Sequence, residues 1–258
     1  LLPLSFLELQ TQYSPLHLER HLPQALRFGL YPNITLQENE TSKIGLLKEL
    51  VTDYLYKDIF ELSGLRHRNE LLALVKLLAF QIGQEISLSE LARATHMSVQ
   101  TVDRYIDLLE QSFVVFRRSG YGKNLRKEVT KNHKIYFYDL GVRNTVIDNF
   151  KLLPDRNDVG QLWENFFVTE RLKKNLYTDN FASTYFWRTY AGSEIDVIEE
   201  WNGHITAFEC KWSKKDIKIP KAFRNLYPDA TYHTVHRENV WEFILKNPRQ
   251  PTRTKRTD

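Results

Sequence analysis

Apolar residues recur at three- and four-residue steps early in the chain. Leu46, Leu47, Leu50, Val51, Tyr54, Leu55 and Ile59 mark one helical face, and residues 1 to about 66 read as helical, punctuated at Leu30-Tyr31-Pro32-Asn33. From Asn69, a candidate N-cap, Leu71 to Phe80 is apolar nearly all round, which predicts a helix buried on most sides with Gly83 as its stop. Ser87 to Glu110 then has the layout of two short helices about a tight turn. Ser89 and Ser98 are the expected caps, Met97 fills the elbow, and Val102, Tyr105, Ile106 and Leu109 form the buried stripe of the second helix. Phe113 to Phe116 reads as a strand, Gly120-Tyr121-Gly122 as a turn, and Ile135 to Tyr138 as a returning strand, the pattern of a winged helix-turn-helix over residues 67–146. Gln100, Thr101 and Arg104 are the positions of its second helix placed to reach base edges in a major groove.

The pattern changes after Pro154-Asp155. Gly160 to Leu172 is an amphipathic helix with Leu162, Phe166, Thr169 and Leu172 at helical spacing and Glu164 between aromatic neighbours. A strand over Thr184 to Arg188 follows. Two alternating runs, Glu194 to Trp201 and His204 to Trp212, then flank Asn202-Gly203, the strongest short-range signal for a β-hairpin.

Composition narrows the class. The 258 residues suggest one to two domains, and no apolar run reaches the ~20 residues of a membrane-spanning helix. Cys210 is the single cysteine, which excludes a disulfide framework and a Cys-rich zinc module; a reducing, cytoplasmic setting is expected. The start at Leu1-Leu2-Pro3, without an initiator methionine, is expected of a piece of a longer polypeptide. Net charge is only +4, and the tail Arg249, Arg253, Lys255, Arg256 and Asp258 supplies most of it. Local charge says more. Seven basic residues from Arg117 to Lys134, among them Arg118, Lys123, Arg126 and Lys127, and six from Lys211 to Arg224 are the footprint expected for a polyanion, or simply a solvated face. His17, His21 and His96 lack further ligands nearby and read as satisfied or solvent-facing.

With Asn202 and Gly203 as the two loop residues, Trp201 faces His204, Asp196 lands opposite Glu209, and Glu194 lands opposite Lys211, all on one face. Two carboxylates ~5 Å apart at Cβ are tolerated only with positive charge between them, and a divalent cation is the natural occupant. Hard oxygen ligands suit Mg²⁺ or Mn²⁺, which can polarise a phosphoryl oxygen and acidify a bound water. Lys211 is placed to orient that water or to stabilise charge on the phosphate, and Glu164 adds a third carboxylate. The plainer reading is an exposed Glu194–Lys211 ion pair, but it leaves unexplained the charged residues alternating within Ala207 to Trp212.

These residues resemble the PD-(D/E)XK nuclease superfamily: a helix Glu (Glu164), an Asp ending one strand (Asp196, within Gly192-Ser-Glu-Ile-Asp), and Glu-Cys-Lys on the next (Glu209, Cys210, Lys211). Ile195 stands where the motif's proline would be. The resemblance implies that Asp196, Glu209 and the Cys210 carbonyl hold the metal and that Lys211 assists the attacking water. The chain as a whole resembles the C-terminal part of prokaryotic AAA-type ATPases, on Pro3 to Leu9, Leu26-Arg-Phe-Gly-Leu-Tyr-Pro32, Tyr54-Leu-Tyr-Lys-Asp58, Thr101-Val-Asp-Arg-Tyr105 and Lys134 to Gly141. No Gly-x-x-x-x-Gly-Lys-Ser/Thr occurs, so ATP would bind only through an N-terminal domain outside this chain, and ATPase activity belongs to the longer protein.

The expected fold is therefore α+β and multi-domain: a helical linker or lid over 1–66, a winged helix over 67–146, an α/β nuclease-like domain with a central mixed sheet over 150–247, and a basic tail over 248–258. The expected function is DNA engagement with Mg- or Mn-dependent phosphodiester cleavage, as the effector part of an ATPase. The alternatives are a catalytically inactive module that docks DNA or protein, and an organiser of ATPase homo-oligomers. No membrane partner is expected.

Overall fold

The structure, a computed structural model, describes residues 2–53, 68–122, 133–215 and 217–245. Tyr54, Leu55, Ile59, Lys123, Arg126, Lys127 and the tail from residue 248 lie outside the described residues. The chain is a mixed α+β protein with two sheets.

The N-terminal part is helical, as its periodicity predicts: α1 (Phe6–Leu9), α2 (Pro15–Phe28), α3 (Pro32–Thr35) and α4 (Glu40–Leu50). Ser5 and Glu8 form a reciprocal capping box on α1, and Ser14 caps α2 ahead of a proline at the first helical position. α2 ends at Gly29, whose φ of 73° suits a residue without a side chain. A Cβ there would lie 2.0 Å from an Asp139 carboxylate oxygen. That carboxylate instead accepts the Leu30 N–H at 2.7 Å and the Val142 N–H at 3.0 Å. Two motif segments, Phe28-Gly-Leu and Asp139-Leu-Gly, are thus locked to each other by close backbone approach.

The next unit contains α5 (Arg68–Phe80), β1 (Glu85–Ile86), α6 (Leu88–Thr95), α7 (Val99–Gln111), β2 (Val115–Ser119) and β3 (His133–Phe137). Asn69 is already inside α5, and Ser87 rather than Ser89 caps α6, because the oxygen that reaches the third helical N–H, that of Glu90, belongs to Ser87. Ser98 caps α7, and Val102, Tyr105, Ile106 and Leu109 are buried. The three strands form an antiparallel sheet in the order β1-β3-β2. Gly120-Tyr121, at the start of the expected turn, bridges to Phe186 of the second sheet, with the Tyr121 N–H donating to the Phe186 carbonyl at 2.6 Å.

After α8 (Leu140–Val146) comes α9 (Val159–Tyr177), longer than predicted and buried on most sides. It packs between the two sheets. The second sheet comprises β4 (Ser183–Arg188), β5 (Glu194–Trp201), β6 (His204–Cys210) and β7 (Thr231–Val235), in that order, with β7 parallel to β6 and α10 (Lys221–Leu226) in the crossover. α11 (Val240–Ile244) closes the fold. One core runs from Phe6 to Ile244 and includes Trp163, Phe167, Val197 and Phe208; a smaller one, with Ile195, Ile198, Ala207 and Phe223, lies on the sheet's other side. Burying each large apolar side chain contributes roughly 1.5–3 kcal/mol.

Asn165 ties α9 to the first sheet. Its amide group accepts from the Phe137 N–H at 2.8 Å and donates to the Phe137 carbonyl at 2.9 Å. On the other side Arg171 makes a paired bond to the buried Glu199 and donates to the Phe243 carbonyl at 2.7 Å.

Candidate functional site: a carboxylate and lysine cluster

The hairpin turn is as the sequence predicts. Asn202 and Gly203 have φ of 50° and 79°, the paired positive values of a tight hairpin turn, and Trp201 pairs with His204. The register continues through Val197↔Phe208. There the backbone ladder stops, and the Cys210 N–H is accepted by the Asp196 carboxylate at 2.7 Å. Asp196 is therefore held at the point where β5 and β6 part.

The strict alternation expected across this segment fails, however. The β4–β5 register shifts between Tyr185 and Trp187, with Asp196 and Val197 of β5 set against the single Phe186 of β4, so that Ile195 and Ile198, three residues apart, share one core. The bulge re-aims the Asp196 end of the strand. Glu194 accordingly does not partner Lys211. It pairs with Lys134, and Arg188 lies 4.0 Å away.

Lys134 is the group that the sequence reading placed elsewhere. Expected in a basic surface patch, it is buried at the interface of the two sheets. Its ammonium lies 2.9 Å from the Glu164 carboxylate, forms the ion pair with Glu194, and sits 5.5 Å from the Phe186 ring centroid. Tyr136, two residues along the same strand and so on the same side, donates its hydroxyl to Glu164 at 2.7 Å. A lysine leading the apolar run Ile135-Tyr136-Phe137, with a tyrosine at the second position after it, was the available signal. Lys211 donates to Glu209 at 2.7 Å.

The electrostatics follow from burial. Glu164 is pushed up to about 7 by desolvation and by the Asp196 charge, against the pull of Lys134 and Tyr136. Asp196 is raised by burial, opposed by Lys134 and the Cys210 N–H, and Glu209 is raised by burial and by Asp196, opposed by Lys211. Burial alone would lower Lys134, but Glu164, Asp196 and Glu194 together hold it above its ordinary value. Fully ionised, Glu164, Glu194, Asp196 and Glu209 face Lys134 and Lys211, which leaves negative charge in excess. Tyr232 of β7 is a further group the sequence reading missed. Its hydroxyl is buried without a hydrogen-bond partner among the described residues, and burial together with Glu209 and Asp196 raises it.

Asp196, Glu209 and the Cys210 carbonyl are hard oxygen donors of the kind Mg²⁺ or Mn²⁺ accepts. The excess negative charge beside them fits a divalent cation. Glu164 is committed to Lys134 and Tyr136, and no group of three or more His, Cys, Asp or Glu side chains that could hold a metal occurs among the described residues.

The expected nucleic-acid face divides. Gln100 and Arg104 are exposed on α7, and Thr101 shares a 2.8 Å hydroxyl bond with Ser98. Arg117 is not free for phosphate: Asp103, Asp107 and Glu110 from α7 all pair with it. Arg118 lies over the Phe116 ring at 4.8 Å, its Nε buried and without a partner among the described residues. Among the described residues no helix is long and apolar enough to cross a membrane.

A helical and small-sheet unit joined through α9 to a four-stranded sheet that carries carboxylates and lysines is the class these features define. Residues 19–152, just over half of the chain, match the domain of unknown function DUF8612, and the chain belongs to that family. Residues 159–250, which hold the carboxylate cluster except Lys134 and Tyr136, match the domain of unknown function DUF4143. The chain is similar to an uncharacterized protein of Mycobacterium bovis, 31% identical over 188 residues, covering 72% of this chain and 42% of that protein. It is also similar to an uncharacterized protein of Methanocaldococcus jannaschii, 24% identical over 214 residues, covering 77% of this chain and 46% of that protein. A third, from Haemophilus influenzae, is 23% identical over 158 residues, covering 59% and 38%. The chain thus spans less than half the length of these relatives. No solved structure matches it significantly.

Proposed function

We propose that the chain is the DNA-engaging effector part of a longer AAA-type ATPase, with a winged helix over 67–146 and a PD-(D/E)XK nuclease-like domain that cleaves phosphodiester bonds. The observation that carries this reading is the hairpin end, where Asp196 accepts the Cys210 N–H at 2.7 Å and Lys211 donates to Glu209 at 2.7 Å, two half-buried acids and a lysine at the divergence of two strands. A Mg²⁺ or Mn²⁺ held by Asp196, Glu209 and the Cys210 carbonyl would supply Lewis-acid polarisation and an acidified water. Lys211 orients the nucleophile and offsets charge on the phosphate, while the Cys210 N–H fixes Asp196. Gln100 and Arg104 would contact the duplex.

The test is incubation of wild type, Asp196→Ala and Lys211→Ala with supercoiled plasmid and branched DNA in Mn²⁺, Mg²⁺ or chelator. Metal-dependent nicking that both variants lose supports cleavage. Absence of nicking in every metal refutes it.

One observation favours a second reading, a nuclease-like scaffold that only docks DNA or protein: Lys134 already brings positive charge to Glu164 and Glu194. DNA binding with a steep salt dependence and no cleavage would select it. Self-association without DNA binding would select the oligomer organiser.

A further inference from the structure

A cavity of about 290 Å³ between α2 and α11 is lined by none of the cluster's residues but by Glu19, Leu22, Pro23, Trp212, Arg237, Glu238 and Trp241. Its composition is specific. Leu22 is buried, and the two tryptophans present ring surface: Trp212 is braced edge-on by Trp163 at 5.6 Å between centroids, and Trp241 packs on Phe6 at 5.4 Å. Glu19 and Glu238 bring carboxylates from α2 and from the loop before α11, and neither has an ion-pair partner among the described residues. The Trp241 indole N–H is buried with no acceptor among the described residues. Two aromatic walls with two exposed carboxylates at the rim make an open cleft that attracts a cation by ring quadrupole and by charge. The protein already shows the mode: the Arg237 guanidinium, without a carboxylate partner among the described residues, lies 5.8 Å from the Trp212 ring centroid.

We propose that this cavity binds an arginine side chain from a basic peptide segment of a partner protein. The aliphatic stem lies against Leu22, and the guanidinium stacks on tryptophan between Glu19 and Glu238. The volume, near the lower end of the ~300–1,000 Å³ range of ligand pockets, suits one long side chain. The two acids against Arg237 leave a net negative rim, which favours a cation over the phosphate-flanked bases of a nucleic acid. This reading does not depend on nuclease activity.

The test uses the intact chain with ¹⁵N-labelled indoles, which reports Trp163, Trp187, Trp201, Trp212 and Trp241 separately, titrated with capped Ala-Arg-Ala, capped Ala-Ala-Ala and deoxyguanosine monophosphate. The arginine peptide should move the Trp212 and Trp241 signals and leave Trp187 and Trp201 in place. The surface double variant Glu19→Gln with Glu238→Gln should bind it about fivefold more weakly. Arg237→Ala, which removes the internal competitor, should bind it more tightly. The proposal is overturned if the two signals stay fixed to millimolar peptide, if Ala-Ala-Ala moves them equally, if the double variant binds as wild type does, or if only the nucleotide binds.

Discussion

Replacing Lys134 by methionine removes one buried positive charge while keeping most of the side chain's volume. The consequence follows from the groups it faces. Glu164, at 2.9 Å, and Glu194 would lose their shared cation, and the nearby Asp196 would lose an opposing charge. Removing one partner of a buried pair costs about 3–5 kcal/mol. At ~2–4 °C per kcal/mol for a chain of this size, the melting temperature should fall by roughly 6–20 °C at pH 9. Glu164 sets the pH dependence. Its folded value of about 7 is raised above its ordinary 4.5, so the stability it contributes is full below 4.5 and lost as pH rises through 7, in all about 3 kcal/mol. Without Lys134 that carboxyl holds its proton to still higher pH. The gap between variant and wild type is therefore widest above the variant's own pKa and shrinks as the pH falls to 7, where the proton stands in for the ammonium. Urea unfolding followed by tryptophan fluorescence at pH 9 and pH 6 measures both stabilities. Lys134→Met with Glu164→Gln should recover much of the loss at pH 9. A single variant within ~0.5 kcal/mol of wild type at pH 9, or a gap equal at the two pH values, would refute the role given to Lys134.

The other sites make distinct demands. Asp196→Asn keeps an acceptor for the Cys210 N–H but removes the buried charge that burial penalises and that repels Glu209, so its melting temperature at pH 8 should rise while any metal-dependent cleavage is lost; a fall in melting temperature counts against that repulsion. Arg117→Met should cost about 1–3 kcal/mol in urea unfolding and leave the salt dependence of DNA binding unchanged, because its guanidinium is already taken by three acids. Arg104→Ala, by contrast, should weaken DNA binding without changing the melting temperature, which fluorescence anisotropy at two salt concentrations would show. Gly203→Val puts a β-branched residue at φ 79° in the hairpin turn and should destabilise the chain by ~1–2 kcal/mol in the same unfolding assay.

Much of this arrangement was legible in the residues because its causes are local. Asn202-Gly203 fixes a two-residue turn, and the turn fixes every pairing down to Val197↔Phe208. The stripe Val102, Tyr105, Ile106 and Leu109 is a helical period that requires one buried face. What escaped depends on distant partners. Nothing near Asp196 announces the bulge, which arises where β5 meets both β4 and β6. Lys134 and Arg117 sit in one run of basic residues, yet one is drawn into an acidic cleft by Glu164 and Glu194, and the other onto α7 by Asp103, Asp107 and Glu110. The three- and four-residue spacing of those last acids was a readable sign of a stripe awaiting a cation.

Asn165 holds both polar groups of a single residue, Phe137, one position along α9 from Glu164. Sliding or rolling that helix against β3 would break both bonds at once, so the two move together or not at all. A twist applied to the first sheet would thus arrive at the acid cluster undamped, as through a keyed shaft, rather than dissipate in a soft joint between the halves of the molecule.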